Sequence, residues 1–278
     1  MDALPTYDPI AAALSEDIGA GDLTSQYFVE CRNGFARLFA KEPAIAAGVE
    51  TAAEVFSRVD STLSIRIIRP SGTRLNPGES VLEVFGPLPS LLTAERVALN
   101  FLQHLSGIAT LTDRFVQAIA GTHAQILDTR KTVPGLRLLE KAAVVAGGGT
   151  NHRLGLYDMV MVKDNHLAAG TTPEQLQIAI RRCRKEHPKV RVELEADTLE
   201  QVRIFLELTG VDIILLDNMD LHSMRSAVEL TAGRVLLEAS GGVNLETVAA
   251  IAATGVDRIS IGALTHSARA VDFSMEIR

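Results

Sequence analysis

The sequence predicts an α/β protein whose larger, C-terminal part is a β/α barrel, and three observations carry the prediction. Short apolar runs rich in β-branched residues recur at 124–127, 159–162, 190–194, 212–216, 234–237 and 258–261, with amphipathic helical stretches such as 172–186 and 199–208 between them. That alternation marks parallel βαβ units. The residues that close these runs, Lys131, Lys163, Glu195, Asp217, Ser240 and Gly262, follow one another at 32, 32, 22, 23 and 22 residues, the length of one β/α unit each. Their polarity is sorted along the chain, with cations first, carboxylates next and glycines last. In a barrel the C-terminal ends of all strands share one face, where active sites are built. An open doubly wound sheet gathers them only near its switch point, and the absence of a GxGxxG turn favours the barrel. Six strands are visible, and short length could hide one more.

Residues 1–120 read differently, as α+β. Strands are expected at 35–40, 64–69 and 80–85 and a helix at 48–59, with a run of turn formers at 71–79 between the last two strands. Residues 89–105 and 108–119 are apolar at helical spacing with Gly107 between them, which predicts two helices broken at the glycine. The 94–105 stretch is apolar enough to be well buried or packed on another subunit.

The bulk numbers exclude several classes. A chain of 278 residues with 47% hydrophobic and 22% charged residues can bury a sizeable core. A net charge of −7 argues against generic nucleic-acid binding, so any anion site is a local positive cluster in an acidic protein. Cys31 and Cys183 form no CxxC pair, which argues against a disulfide framework or a thiolate zinc site. No basic and apolar leader and no run of 18 apolar residues is visible, so no membrane partner is expected and the expected location is cytoplasmic.

The strand-end residues suggest chemistry. Arg130, Lys131, Arg153 and Lys163 form a cationic group suited to a small substrate with several carboxylates or phosphates, since arginine clamps a carboxylate through two parallel hydrogen bonds. His152 beside Arg153 either donates to the same ligand or is structural. Residues 147–151 read as a flexible loop at the mouth. Glu195 and Asp217 end neighbouring strands and suit a hard cation such as Mg2+, with acid–base work or helix capping as alternatives. Ser240, Gly241 and Gly242 precede a helix expected near Asn244. They form either a plain tight turn or a phosphate site, and loops after the last strands are where such barrels bind phosphate. Arg96, in a helix beside Glu95, reads as a solvated charge by sequence alone. His166 and His266 could merely satisfy local backbone groups.

These residues resemble a family. The stretches EDIGAGDLTS (16–25), ERVALN (95–100), DTRKT (128–132), GTNHR (149–153), VKDNH (162–166), LLDN (215–218), SGG (240–242) and GALTHS (262–267) are similar to the motifs of quinolinate phosphoribosyltransferases, also called nicotinate-nucleotide pyrophosphorylases. The resemblance spans nearly the whole chain, and no key position departs from it. It implies a type II phosphoribosyltransferase architecture: an N-terminal α/β sandwich, residues 1–110 rejoined by 267–278, and an incomplete β/α barrel, residues 111–266. It implies transfer of phosphoribosyl from phosphoribosyl pyrophosphate to quinolinate with loss of CO2, and Mg2+ as cofactor. It implies a homodimer or a hexamer of dimers, with Arg96 reaching the neighbouring subunit's substrate. Carried over, Arg130, His152, Arg153 and Lys163 hold the two quinolinate carboxylates. Lys131, Glu195 and Asp217 are catalytic at the ribose and metal region. Thr129, Ser240, Gly241, Gly242, Gly262, Ala263 and His266 complete the substrate and phosphate contacts.

Three rivals stand beside it: a paralogue with another substrate, a barrel aldolase or decarboxylase using Lys131 or Lys163 as a Schiff base, and a non-catalytic binding protein. The turn-and-strand pattern at 72–85 also hints at a carrier hairpin, but no lysine sits at its turn.

Overall fold

The computed structural model describes residues 7–163, 170 and 172–278, and the chain forms two compact units. Asp164, Asn165 and His166 of the VKDNH motif lie outside the described residues. No described helix is long and apolar enough to cross a membrane.

One unit comprises the chain up to Asp113, Thr132–Gly148 and Leu264–Arg278. Its sheet contains β1 (Asn33–Ala40), β3 (Ser64–Ile67), β5 (Ser80–Pro87) and β12 (Phe273–Ile277), in the order β12-β1-β5-β3. All three pairings are antiparallel, and the edge strand comes from the chain's end. β1 alternates buried and half-buried residues along its length, the pattern of a strand with one face on a core. β2 (Ala44–Ile45) forms a short antiparallel pair with β4 (Arg74–Leu75), which lies within the turn-rich stretch.

The helix Leu88–Ala118 is continuous over 31 residues, which corrects the expected break at Gly107. A glycine inside a helix costs only about 1 kcal/mol relative to alanine, and the buried Leu102, Leu105, Ile108 and Ala109 around it outweigh that. Gly107 is there for clearance: a Cβ on it would lie 2.3 Å from the Arg269 carbonyl oxygen. The returning C-terminal segment is fastened at the same place, where Val271 N–H donates to the Gln103 carbonyl at 3.1 Å. Gly107→Ala is therefore expected to lower stability by about 1–3 kcal/mol from overpacking, despite its better helix propensity. The check is the denaturant midpoint, and a raised midpoint would show that the crossing is loose.

The other unit comprises Arg114–Lys131 and Gly149–Ala263. Six strands, β6 (Gln125–Leu127), β7 (Met159–Val162), β8 (Arg191–Ala196), β9 (Ile213–Asp217), β10 (Leu236–Ser240) and β11 (Arg258–Ser260), form one parallel sheet in the order β6-β11-β10-β9-β8-β7. The last strand pairs with the first, a wrap-around order that an open doubly wound sheet does not have. Among the described residues no ladder joins β7 to β6, so the barrel is incomplete. The short seventh element that the sequence hides is a single parallel bridge between Leu127 and Thr150. β9 is buried over Ile213, Ile214, Leu215 and Leu216, as a strand packed on both faces must be. The helices Pro173–Glu186 and Leu199–Leu206 both start with reciprocal capping boxes, at Thr172 with Gln175 and at Thr198 with Gln201.

Candidate active site

Parallel pairing puts the C-terminal ends of all these strands on one rim, and the predicted residues of this unit follow them. Asp128 to Lys131 follow β6, His152 and Arg153 follow the Thr150 bridge, and Lys163 follows β7. Glu195 lies one residue inside the end of β8, not beyond it, because the strand runs on to Ala196. Asp217 and Ser240 close β9 and β10 and are in register with each other. Gly262 and Ala263 follow β11, both half-buried.

At the centre, Lys163 Nζ donates to Glu195 Oε2 at 2.5 Å. That pairing occupies the amine that a Schiff base would need. Burial first, and the Glu195 charge next, push the Asp217 carboxyl above its ordinary range, with Asn218 and Lys163 opposing. The two carboxylates and the lysine therefore act on one another across adjacent strands. On the cationic side, burial and then the charge of Arg130 lower the Arg153 guanidinium from its usual value, with Glu193 and Asp158 opposing. Two arginines held close enough to feel each other's charge favour an anionic ligand beside them. Thr129 shapes the turn before them, its Oγ1 accepting the Lys131 backbone N–H at 3.1 Å, and leaves Lys131 exposed.

The 147–151 loop is fastened, which corrects the expectation of a flexible mouth. Thr150 N–H donates to the Ile126 carbonyl at 2.8 Å, and a Cβ on Gly147 would meet the Ala109 carbonyl oxygen at 2.3 Å. The glycines there serve close packing. Beyond them, His152 N–H donates to the buried Asp128 Oδ1 at 2.8 Å, and Asp158 accepts from Leu154 and Gly155.

His152 is placed beneath the rim and not on it, which departs from its expected role as a substrate donor. Its side chain is 5% exposed; Nε2 lies 3.1 Å from Glu238 and 3.3 Å from Glu193, both completely buried. Its Nδ1 accepts the Arg153 backbone N–H at 2.7 Å. Burial alone would lower the imidazole, but the contacts with Glu193 and then Glu238 win and hold it up at about 9. Burial also pushes the Glu193 carboxyl up. Nδ1 accepts the Arg153 N–H, so a proton on the ring sits on Nε2, which faces Glu193 and Glu238.

Sequence reasoning missed Glu193 and Glu238. Strand periodicity held the signal: Glu193 and Glu195 alternate with Val192 and Leu194, so they share one face of β8, as Glu238 and Ser240 share one face of β10.

The glycine loop also differs from expectation. The helix after it is Val248–Ala252, five residues long, and it starts four residues beyond Asn244. Asn244 Oδ1 accepts from Glu246 and Thr247 N–H at 2.9 and 3.1 Å, so the side chain makes a turn there instead. Gly241 and Gly242 are both left-handed, with φ of +96° and +62°. Successive backbone N–H groups in such turns form anion-binding concavities.

Arg96 and His266 belong to the first unit. Arg96 is exposed on the helix Leu88–Ala118, and His266 is exposed with Nδ1 2.6 Å from Ser267 Oγ.

The chain as a whole is similar to known proteins. Residues 22–106 match the family described as quinolinate phosphoribosyl transferase, N-terminal domain, and residues 108–276 match its C-terminal domain. A Mycobacterium leprae protein named nicotinate-nucleotide pyrophosphorylase (carboxylating) is 43% identical over 278 residues, covering 97% of this chain and 96% of that protein. A Nicotiana glauca protein named quinolinate phosphoribosyltransferase (decarboxylating) 2, mitochondrial, is 44% identical, covering 99% and 84%. The crystal structure of NadC from Streptococcus pyogenes superposes with a TM-score of 0.91 at 41% identity, covering 100% of this chain and 99% of that one.

Proposed function

The chain belongs to the quinolinate phosphoribosyltransferase family, and from that premise we infer that it is a cytoplasmic enzyme transferring phosphoribosyl from phosphoribosyl pyrophosphate to quinolinate. The products are nicotinate mononucleotide, pyrophosphate and CO2, on the de novo route to NAD. The name pyrophosphorylase (carboxylating) describes the same reaction read backwards. The observation that carries this reading is the meeting, on one barrel rim, of two half-buried guanidiniums in each other's field, the Lys163–Glu195 pair beside Asp217, and a left-handed glycine loop.

Arg130, Arg153 and Lys163 take the two carboxylates of quinolinate, and His152 acts through Arg153. The ring nitrogen attacks C1 of the ribose as the C1–oxygen bond breaks and pyrophosphate leaves with the electron pair. Glu195 and Asp217 face the positive charge that develops on the ribose carbon. The quaternised nitrogen then accepts electron density as the C2–carboxylate bond breaks, CO2 departs, and C2 takes up a proton. Lys131, exposed beside Thr129, faces the ribose end, and Ser240, Gly241, Gly242, Gly262, Ala263 and His266 surround the phosphate. The protein's main contribution is positioning and charge complementarity.

Two carboxylates from adjacent strands, one already sharing a lysine, fit Mg2+, which keeps most of its waters and binds through one or two carboxylates plus substrate phosphate. When bound, the ion draws charge from the departing pyrophosphate. We further propose a homodimer or hexamer of dimers in which Arg96 serves the neighbouring subunit's site. The support is an exposed arginine on a largely buried helix, and exposed Leu23, Tyr27 and Phe28 in the same unit.

The test is an assay with quinolinate, phosphoribosyl pyrophosphate and Mg2+ that follows CO2 and mononucleotide together. Equimolar release of both is expected. Mononucleotide without CO2 would point to a related transferase acting on a monocarboxylate.

A further inference from the structure

Asn218 follows the acid that closes β9, and its backbone is left-handed, with φ of +52°. That conformation is uncommon outside glycine, and asparagine is among the few residues that tolerate it. The turn is fixed by Asn218 N–H donating to the Ser240 carbonyl at 2.9 Å. The side chain is thereby directed between two strand ends. Its Nδ2 donates to Asp217 Oδ2 at 2.8 Å. Its Oδ1 lies against Gly241, where a Cβ would come within 2.1 Å of Oδ1 and 3.0 Å of the Asn218 nitrogen. Gly241 thus lacks a side chain for two reasons, its φ of +96° and the Asn218 amide that fills the space.

We propose that Asn218 is a positioning residue that clamps the Asp217 carboxylate and seats it on the glycine loop, so that the ribose end and the phosphate end of the site are set as one piece. The inference rests on the functional reading above and adds to it the device that fixes the spacing between the two ends of phosphoribosyl pyrophosphate. Arg130 and Arg153 belong to other strand ends, and Lys163 reaches Asp217 only through its charge, so quinolinate recognition should respond far less to Asn218 than phosphoribosyl pyrophosphate binding does.

Asn218→Gly keeps the left-handed turn and removes only the amide. Asn218→Asp keeps size and turn but sets a second carboxylate against Asp217. Calorimetry in Mg2+ avoids turnover when benzene-1,2-dicarboxylate, which lacks the ring nitrogen, replaces quinolinate. Asn218→Gly is expected to weaken phosphoribosyl pyrophosphate binding about ten- to hundredfold, the loss of one hydrogen bond to a charged group. Asn218→Asp should lose more, and quinolinate affinity, measured alone, should stay within about twofold in both. Gly241→Ala should cost less in the Asn218→Gly background than in the wild type, because one of its two clashes is gone. If Asn218→Gly fails to fold, Asn218→Asp carries the test. Wild-type affinity for phosphoribosyl pyrophosphate in either folded variant, or equal loss of both ligands, overturns the proposal. A wild-type protein that binds no phosphoribosyl pyrophosphate sinks the functional reading and this inference with it.

Discussion

Arg153→Ala is expected to lower kcat/KM for quinolinate by about two to four orders of magnitude while phosphoribosyl pyrophosphate affinity changes by no more than about threefold. A bidentate guanidinium–carboxylate contact supplies two charge-assisted bonds, each costing about 1.5–3 kcal/mol to lose. At about 1.4 kcal/mol per decade, that spans the range given. One effect works the other way: removing Arg153 relieves the like charge on Arg130, whose field lowers the Arg153 guanidinium in the free protein. The relief is small, because solvent reaches the rim and screens the two charges. Arg153→Lys should recover little, since an ammonium cannot reproduce the planar fork. Titration with each substrate separates the outcomes. Equal loss of both would mean that Arg153 holds the shape of the cup and not the dicarboxylate.

The barrel was legible because its signals repeat. Strand, helix and polar strand end recur at nearly constant spacing, so one misread unit leaves the others standing. The residues at those ends were legible for the same reason: a charged group closing an apolar run has few structural uses. What escaped depended on contacts made far along the chain. Gly107 reads as a helix breaker unless the Arg269 carbonyl is known to cross there. Gly147 reads as loop flexibility, yet it marks close packing against the Ala109 carbonyl. Asn244 reads as a helix start, but its own side chain takes two N–H groups into a turn. His152 reads as a ligand because it adjoins Arg153, whereas the burial of Glu193 and Glu238 decides where its ring goes. In each case local sequence named the right residue and a distant partner decided its role.

That last case yields the second large effect. His152→Ala is expected to destabilise the protein by about 3–5 kcal/mol, the cost of removing one partner from a buried ionic cluster. Glu193 and Glu238 would be left completely buried, with four carboxylate oxygens that have no hydrogen-bond partner among the described residues and no imidazole beside them. A surface donor to quinolinate would behave oppositely: its loss would raise KM for quinolinate and leave the denaturant midpoint where it was. The two roles therefore separate on one variant with two measurements. The cause can be tested further by adding Glu193→Gln and Glu238→Gln to His152→Ala. If uncompensated charge is the problem, the neutral triple variant should be more stable than His152→Ala alone, a sign that simple cavity formation cannot give. Arg153 would still lose the acceptor for its backbone N–H, so stability should return further than quinolinate affinity does. Continued loss of stability in the triple variant would place the cost in packing around the ring and would remove the electrostatic account of why these three residues lie together under the site.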